Sequence, residues 1–267
     1  MRLSSRPWRL VALAALVLAS VTAAGCSRFG APDPASEQGE SVLTLWRGFF
    51  VTALFVAGLV WGLLIFVLLR YRRRRTGADG VEASDVDLAP DDLPDQQAYN
   101  IPLEVFYTAV PLIMVAVFFY FTARDEDAIM KTSANPDHKI TVTGVQWSWQ
   151  FTYASDGGPE TTVTGTPGKP PTLYLPKGES VQFKLESNDV IHSFWVPAFL
   201  FKMDVIPGRV NTFEITPQKL GRFRGKCAEL CGQDHARMLF NVKVVTPSEY
   251  QDYVTRLEGR LAQGSAQ

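Results

Sequence analysis

Two long apolar runs limit what this chain can fold into before any other feature does. Residues 48–69, "GFFVTALFVAGLVWGLLIFVLL", contain no charge and are long enough to cross a bilayer as one helix. Residues 101–122, "IPLEVFYTAVPLIMVAVFFYFT", form a second such run whose single charge, Glu104, lies near its start. Trp46 and Arg47 flank one end of the first run, and "RYRRRR" at 70–75 closes the other. An arginine cluster beside a membrane span marks the cytoplasmic side. The first span is therefore expected to run inward, a polar loop at 70–100 to lie inside, and the second span to return the chain outside at Ala123. The alternative, one run buried in a soluble core, fits neither the run lengths nor the arginines.

The first 25 residues support that direction. Arg2, Arg6 and Arg9 precede an apolar stretch from Leu10 to Ala19, and small residues follow up to Cys26. This is the three-part layout of a secretory signal. Small residues directly before a cysteine resemble the lipobox of bacterial lipoproteins, with Ala23 where leucine is usual, so Cys26 is expected to be acylated after cleavage. Ordinary signal cleavage is the alternative, and either outcome exports the linker at 26–47.

The formal net charge of -1 argues against nucleic-acid binding, which calls for a basic surplus. From Lys139 onward the pattern changes to short alternating segments. "KITVTGVQWSWQFTYA", "TLYL", "SVQFKLES", "VIHSFWVP", "VNTFEIT", "GRFRGK" and "MLFNVKVVT" are separated by "PKGE", "IPGR" and "TPQKLG". Many short strands between turn signals predict an all-β sandwich or barrel over 123–250. "TPSE" at 246–249 reads as a helix start, with Thr246 as cap and Glu249 reaching back, so a short helix and tail should occupy 251–267.

Chemistry concentrates in one stretch of that exported domain, "CAELCGQDHARM" at 227–238. It holds Cys227, Cys231, His235 and Met238, while His192 lies upstream in "NDVIHSFWVPAF" and His138 in the charged "NPDHK". Thiolate, imidazole and thioether suit copper, and the second cysteine lets two sulfurs bridge two ions with one histidine on each. Three other readings stay open from spacing alone. The thiols could form a disulfide, as exported domains allow, or join the histidines around zinc, which would leave Met238 unexplained, or Met238 could be an ordinary core residue before a strand.

The stretch resembles the C-x-E-x-C-G-x-x-H-x-x-M loop of the CuA centre in subunit II of haem-copper cytochrome c oxidases. "NDVIHSFWVPAF" followed by "KMDVIPGR" is similar to that family's upstream histidine segment, and "QWSW" at 146–149 to its aromatic strand. The likeness spans about residues 41–250. It implies a two-helix transmembrane hairpin followed by a cupredoxin Greek-key β-barrel. Its implied copper ligands are His192, Cys227, Cys231, His235 and Met238 by side chain and Glu229 by its carbonyl. The Glu229 carboxylate would face a magnesium or manganese site shared with subunit I.

Further roles follow from the same resemblance. Trp147 is expected to receive the electron from cytochrome c, although the family's tyrosine and histidine are replaced here by Ser148 and Val145. Glu104 aligns with a glutamate at the mouth of a proton-uptake route. Arg209 and Asp204 lie where the family faces subunit I, and Asp156, Glu160, Glu186 and Asp189 could steer a basic cytochrome. Subunits I and III are the implied partners, with haems a and a3 and CuB in subunit I. No C-x-x-C-H occurs, so the cytochrome donor must be a separate protein. The lipobox and arginine-rich signal resemble actinobacterial versions, whose donor is a dihaem cytochrome of the quinol-oxidising complex. A tethered copper chaperone would need a thioredoxin-like alternation of helices and strands. A quinol oxidase subunit II would lack the copper ligands, and nitrous oxide reductase the membrane hairpin.

Overall fold

The computed structural model describes residues 28–71, 98–154 and 160–264. The signal segment with Cys26, the arginines at 72–75 and Asp156 lie outside the described residues. The chain divides into two units, Gly48–Ala123 and the remainder.

The first unit is helical. Helix α1 covers Glu37–Arg70 and α2 covers Ile101–Met130. Both are long and apolar enough to cross a membrane, and neither is buried along its apolar window. Apolar side chains such as Phe55 and Phe119 stand more than 70% exposed, which suits lipid rather than water as their solvent. Phe49 of α1 meets Phe118 of α2 at 4.7 Å between ring centroids. Both helices outrun their apolar stretches, because the polar residues beside them continue the helix. Ser36 caps α1 by accepting the Gly39 N–H at 3.1 Å. At the start of α2, Asn100 accepts the Leu103 N–H, and Glu104 accepts the Asn100 N–H at 2.9 Å.

The second unit is the β domain. Strands β1 (His138–Val145), β2 (Ser148–Tyr153), β3 (Thr161–Thr164), β5 (Val181–Ser187) and β8 (Asn211–Ile215) form one sheet in the order β3-β2-β1-β5-β8. Strands β4 (Thr172–Pro176), β6 (His192–Val196), β7 (Phe201–Val205), β9 (Gly221–Cys227) and β10 (Leu239–Val245) form the other, β4-β10-β9-β6-β7. Non-consecutive neighbours and the parallel pairs β1–β5 and β4–β10 give a wound sandwich of the cupredoxin kind. Strands β3 and β7 were not foreseen in the sequence as separate elements.

Alternation drives the packing. On β2, Trp149, Phe151 and Tyr153 point inward and are buried. Trp149 meets Phe194 and Phe240 of the opposite sheet and Phe151 meets Phe240, with Phe194 and Phe240 stacked at 4.8 Å, while Tyr153 packs on Tyr250 and Tyr253. Each such ring contributes about 1.5–3 kcal/mol by leaving water. Trp147 does not share that face: β1 ends at Val145 and β2 begins at Ser148, so Trp147 sits in the turn between them. Helix α3 (Pro247–Gly264) closes one side, and its capping box forms as read: Thr246 accepts the Glu249 N–H while Glu249 accepts the Thr246 N–H at 3.0 Å.

The segment before α1 is no free linker. The Ala35 N–H donates to the Ala198 carbonyl at 2.7 Å, Gln218 donates to Ala35, and Glu37 donates to Thr216. Ala35 and Ser36 are fully buried in the β domain. Two small side chains let the strap lie flush against the sheet, which a bulkier sequence would prevent.

Candidate metal centre

The site is assembled by three strands of one sheet. His192 opens β6, Cys227 closes β9, and Met238 immediately precedes β10, so the loop 228–237 leaves and re-enters a hydrogen-bonded frame. Its ends are pinned by backbone: the Cys227 N–H donates to the Met238 carbonyl and the Ala228 N–H to the Ser193 carbonyl, both at 3.0 Å. Trp149 adds its indole N–H to the Met238 carbonyl at 3.4 Å.

Inside that frame the two sulfurs of Cys227 and Cys231 lie 3.8 Å apart. A disulfide requires about 2.05 Å, so the thiols are free. His192 Nδ1 lies 3.9 Å from the Cys227 sulfur, and His235 Nδ1 lies 3.5 Å from the Cys231 sulfur. The Met238 sulfur stands 3.7 Å from Cys231, and the Glu229 carbonyl oxygen 3.2 Å from Cys227. His192, Cys227 and Cys231 each bring one ligand atom within 4.8 Å of the others, the one metal-holding group among the described residues. His192, Cys227, Cys231 and Met238 are all buried. All six residues read from the motif lie close together, and the Glu229 side chain is exposed.

Electrostatics separates the two thiols. Burial pushes both up, but at Cys227 the hydrogen bond with His192 prevails and brings the thiol down to about 6. At Cys231 burial, then the charge of the neighbouring Cys227 sulfur, push it up to about 12. The pair as a whole favours a cation that displaces its protons. Burial also opposes charge on His192, yet its partners Cys227 and Asp189 raise its pKa overall.

Several positioning groups escaped the sequence reading. Asp189, read only as a surface acid, accepts from His192 Nε2 at 2.8 Å and from the Gln146 and Val190 N–H groups. A carboxylate on the far nitrogen fixes which tautomer a ligand histidine presents. Gln146 donates its side-chain amide to the Cys231 carbonyl at 2.8 Å, and the Trp147 indole N–H donates to the same oxygen at 3.1 Å. No spacing signal announces these, since 85 residues of sequence separate Gln146 from Cys231. Gly144 is required by close approach: a Cβ there would come within 2.8 Å of the His192 ring. Gly232 has φ +120°, and a Cβ would press on Trp147 Nε1 at 3.0 Å.

Other singled-out residues lie away from the centre. His138 pairs with Glu179 at 2.7 Å and Glu186 with Lys184. Arg209 is exposed in a turn, while Asp204 pairs with Lys202 at 3.7 Å. Ser148 is buried with its hydroxyl unpartnered.

Residues 170–245 match the family described as cytochrome C oxidase subunit II, periplasmic domain. The probable cytochrome c oxidase subunit 2 of Streptomyces coelicolor is 43% identical over 94% of this chain and 88% of its own length. The cytochrome c oxidase subunit 2 of Mycobacterium tuberculosis is 31% identical over 96% of this chain and 84% of its own.

The chain belongs to the cytochrome c oxidase subunit II family.

Among solved structures, the periplasmic domain of subunit II of Bradyrhizobium japonicum cytochrome oxidase is 32% identical. It matches with a TM-score of 0.44 over 48% of this chain and 99% of its own. The expectations of an actinobacterial-like oxidase subunit II, and of two apolar helices with a cupredoxin-like domain, are borne out. As a subunit II, the protein is a membrane component of an oxidase that passes electrons from cytochrome c to dioxygen. Its thiol and imidazole cluster is consistent with that family's copper centre.

Proposed function

We propose that this subunit II takes electrons from a cytochrome c at a dinuclear copper centre and hands them to haem a of subunit I. The ligands are His192, Cys227, Cys231, His235, Met238 and the Glu229 carbonyl. One observation carries the reading: two unbonded sulfurs lie 3.8 Å apart with a different imidazole nitrogen against each. The donor set fits copper, since a tetrahedral zinc site would leave the buried Met238 thioether and the Glu229 carbonyl without a role. When bound, the copper pair supplies a one-electron store shared over both thiolates.

The chain's own residues make that store usable. Strands β6, β9 and β10 hold the ligands in a hydrogen-bonded frame, so little moves when charge changes. Burial excludes water. Asp189 accepts the Nε2–H of His192 and leaves the Nδ1 lone pair directed at the Cys227 sulfur. Trp147 is proposed as the receiving residue, because its indole N–H bonds the carbonyl of Cys231 and needs neither Ser148 nor Val145 for that link.

Several finer assignments belong to the same proposal. The exported face holds the copper domain, Cys26 carries the lipid after signal cleavage, and the two helices span the membrane between them. Glu229 holds magnesium or manganese with subunit I. Glu104, whose carboxylate accepts the Asn100 N–H at the head of α2, opens the proton-uptake route. Subunits I and III are the assembly partners, and a dihaem cytochrome of the quinol-oxidising complex is the donor.

The test is electron paramagnetic resonance with metal analysis on the purified oxidase. A hyperfine pattern shared equally by two coppers in this subunit is expected, lost in Cys227→Ser and His192→Ala together with cytochrome c oxidation. A single ion in the cluster, or normal turnover in Cys227→Ser, would overturn the proposal.

A further inference from the structure

The outer face of the sheet β4-β10-β9-β6-β7 carries an array of cations that neither the copper centre nor the fold explains. Its register sets these residues in rows across the strands. Tyr174, Lys243 and Arg222 are cross-strand neighbours, then Asn241 and Arg224, then Leu239, Lys226 and Trp195. All alternate with buried neighbours such as Val242, Gly225 and Phe194, so all share the outward face.

Three features point to binding. First, Arg222 stands directly opposite Lys243, and like charges in that position destabilise a sheet. Second, these cations have no ion-pair partner among the described residues. Lys184, Lys202, Lys219 and Arg237 each form an ion pair, whereas Arg222, Arg224, Lys226 and Lys243 form none among the described residues. Glu249, which feels the Lys243 charge, is already engaged by Thr246 in the α3 cap. Third, the array borders two shallow grooves that share Asn241. One, of about 510 Å³, runs between Pro170, Pro197 and Leu239 with Arg224 and Lys226 at its rim. The other, of about 180 Å³, lies between Tyr174, Arg222 and Lys243.

We propose that this face docks an acidic segment of a partner protein, laid across Asn241 with its carboxylates against Arg222, Arg224 and Lys243. A sheet face of cations at strand spacing matches alternating side chains of an extended peptide, and the Asn241 amide can both donate to and accept from a peptide group. A lipid surface fits less well. Lys226 covers Trp195 at 4.5 Å and Lys243 covers Tyr174 at 5.0 Å, so ammonium groups block the rings that would insert. The face is separate from the metal ligands, so this inference does not rest on the copper reading.

The test uses the purified oxidase containing the full chain and a fluorescein-labelled peptide of alternating glutamate and valine. Saturable binding by fluorescence anisotropy is expected at about 20 mM salt, weakening at about 0.15 M as screening shortens. R222Q/R224Q/K243Q should weaken binding about tenfold, the sum of three exposed ion pairs. The conservative R222K/R224K should retain it, showing that the charges and not a folding defect are measured. K139Q/K177Q/K184Q, which removes equal charge elsewhere, should leave it unchanged. Absence of saturable binding overturns the proposal, as does equal weakening by the two triple variants. Displacement of the peptide by phosphatidylglycerol vesicles but not by phosphatidylcholine vesicles also overturns it, in favour of a lipid face.

Discussion

The indole nitrogen of Trp147 donates a hydrogen bond to the carbonyl oxygen of Cys231 at 3.1 Å. A half-buried aromatic in the β1–β2 turn is thereby tied to the backbone of a buried sulfur ligand. Ser148 takes no part in the contact.

Trp147→Phe keeps an aromatic ring and removes only the N–H. Cytochrome c oxidation followed by stopped flow should slow by at least about tenfold, an activation increase of about 1.4 kcal/mol. Oxidation of a small diffusible reductant, which needs no protein docking, should fall much less. Equal loss with both donors would assign Trp147 a purely structural role.

Asp189→Asn removes the anionic partner of His192 Nε2. The ring then loses the charge that holds its tautomer, and copper affinity measured by chelator competition should drop about 10–100-fold. An unchanged affinity would show that the β6 frame alone orients the ring.

Gly144→Ala places a methyl group 2.8 Å from the His192 ring carbon. His192 is fully buried and cannot swing outward, so β1 or the ligand must shift at a cost of about 1–3 kcal/mol. Copper content should fall along with the urea midpoint. Gly168→Ala, where the added carbon meets nothing within 4 Å, is the matched control.

The Asp137 carboxylate accepts the Ser180 N–H at 2.8 Å and its hydroxyl at 2.9 Å. The backbone bond first, then the hydroxyl, hold its pKa below the ordinary 3.8. A depressed acid stabilises the fold above its unfolded pKa and loses that contribution as pH falls through the folded value. The gap in denaturation midpoint between wild type and Asp137→Asn should therefore be full at neutral pH and close as pH falls below about 3.8. A constant gap across that range would remove the carboxylate's charge from the explanation.

Legibility in the sequence followed the range of the interactions. Spans, strand alternation and the α3 capping box are short-range patterns, and they appear in the structure near their expected places. The proximity of Cys227, Glu229, Cys231, His235 and Met238 was also legible, because they lie in or border one ten-residue loop between adjacent strands, whereas His192 joins them from β6. The strap at Ala35 was not, since its partners Ala198 and Gln218 lie far along the chain. Nor was the position of Trp147, because alternation cannot show where a strand stops and a turn begins.

By itself the sequence determined the apolar helices, the β character of the C-terminal part and the identities of the sulfur and nitrogen donors, all set by side-chain chemistry and local period. Only the tertiary structure decided which imidazole meets which sulfur, that Asp189 and Gln146 contact the centre, and that four cations without an ion pair among the described residues share one sheet face. Those facts depend on strand order and register. Parallel and crossover pairings bring together residues whose separation along the chain carries no local energetic trace.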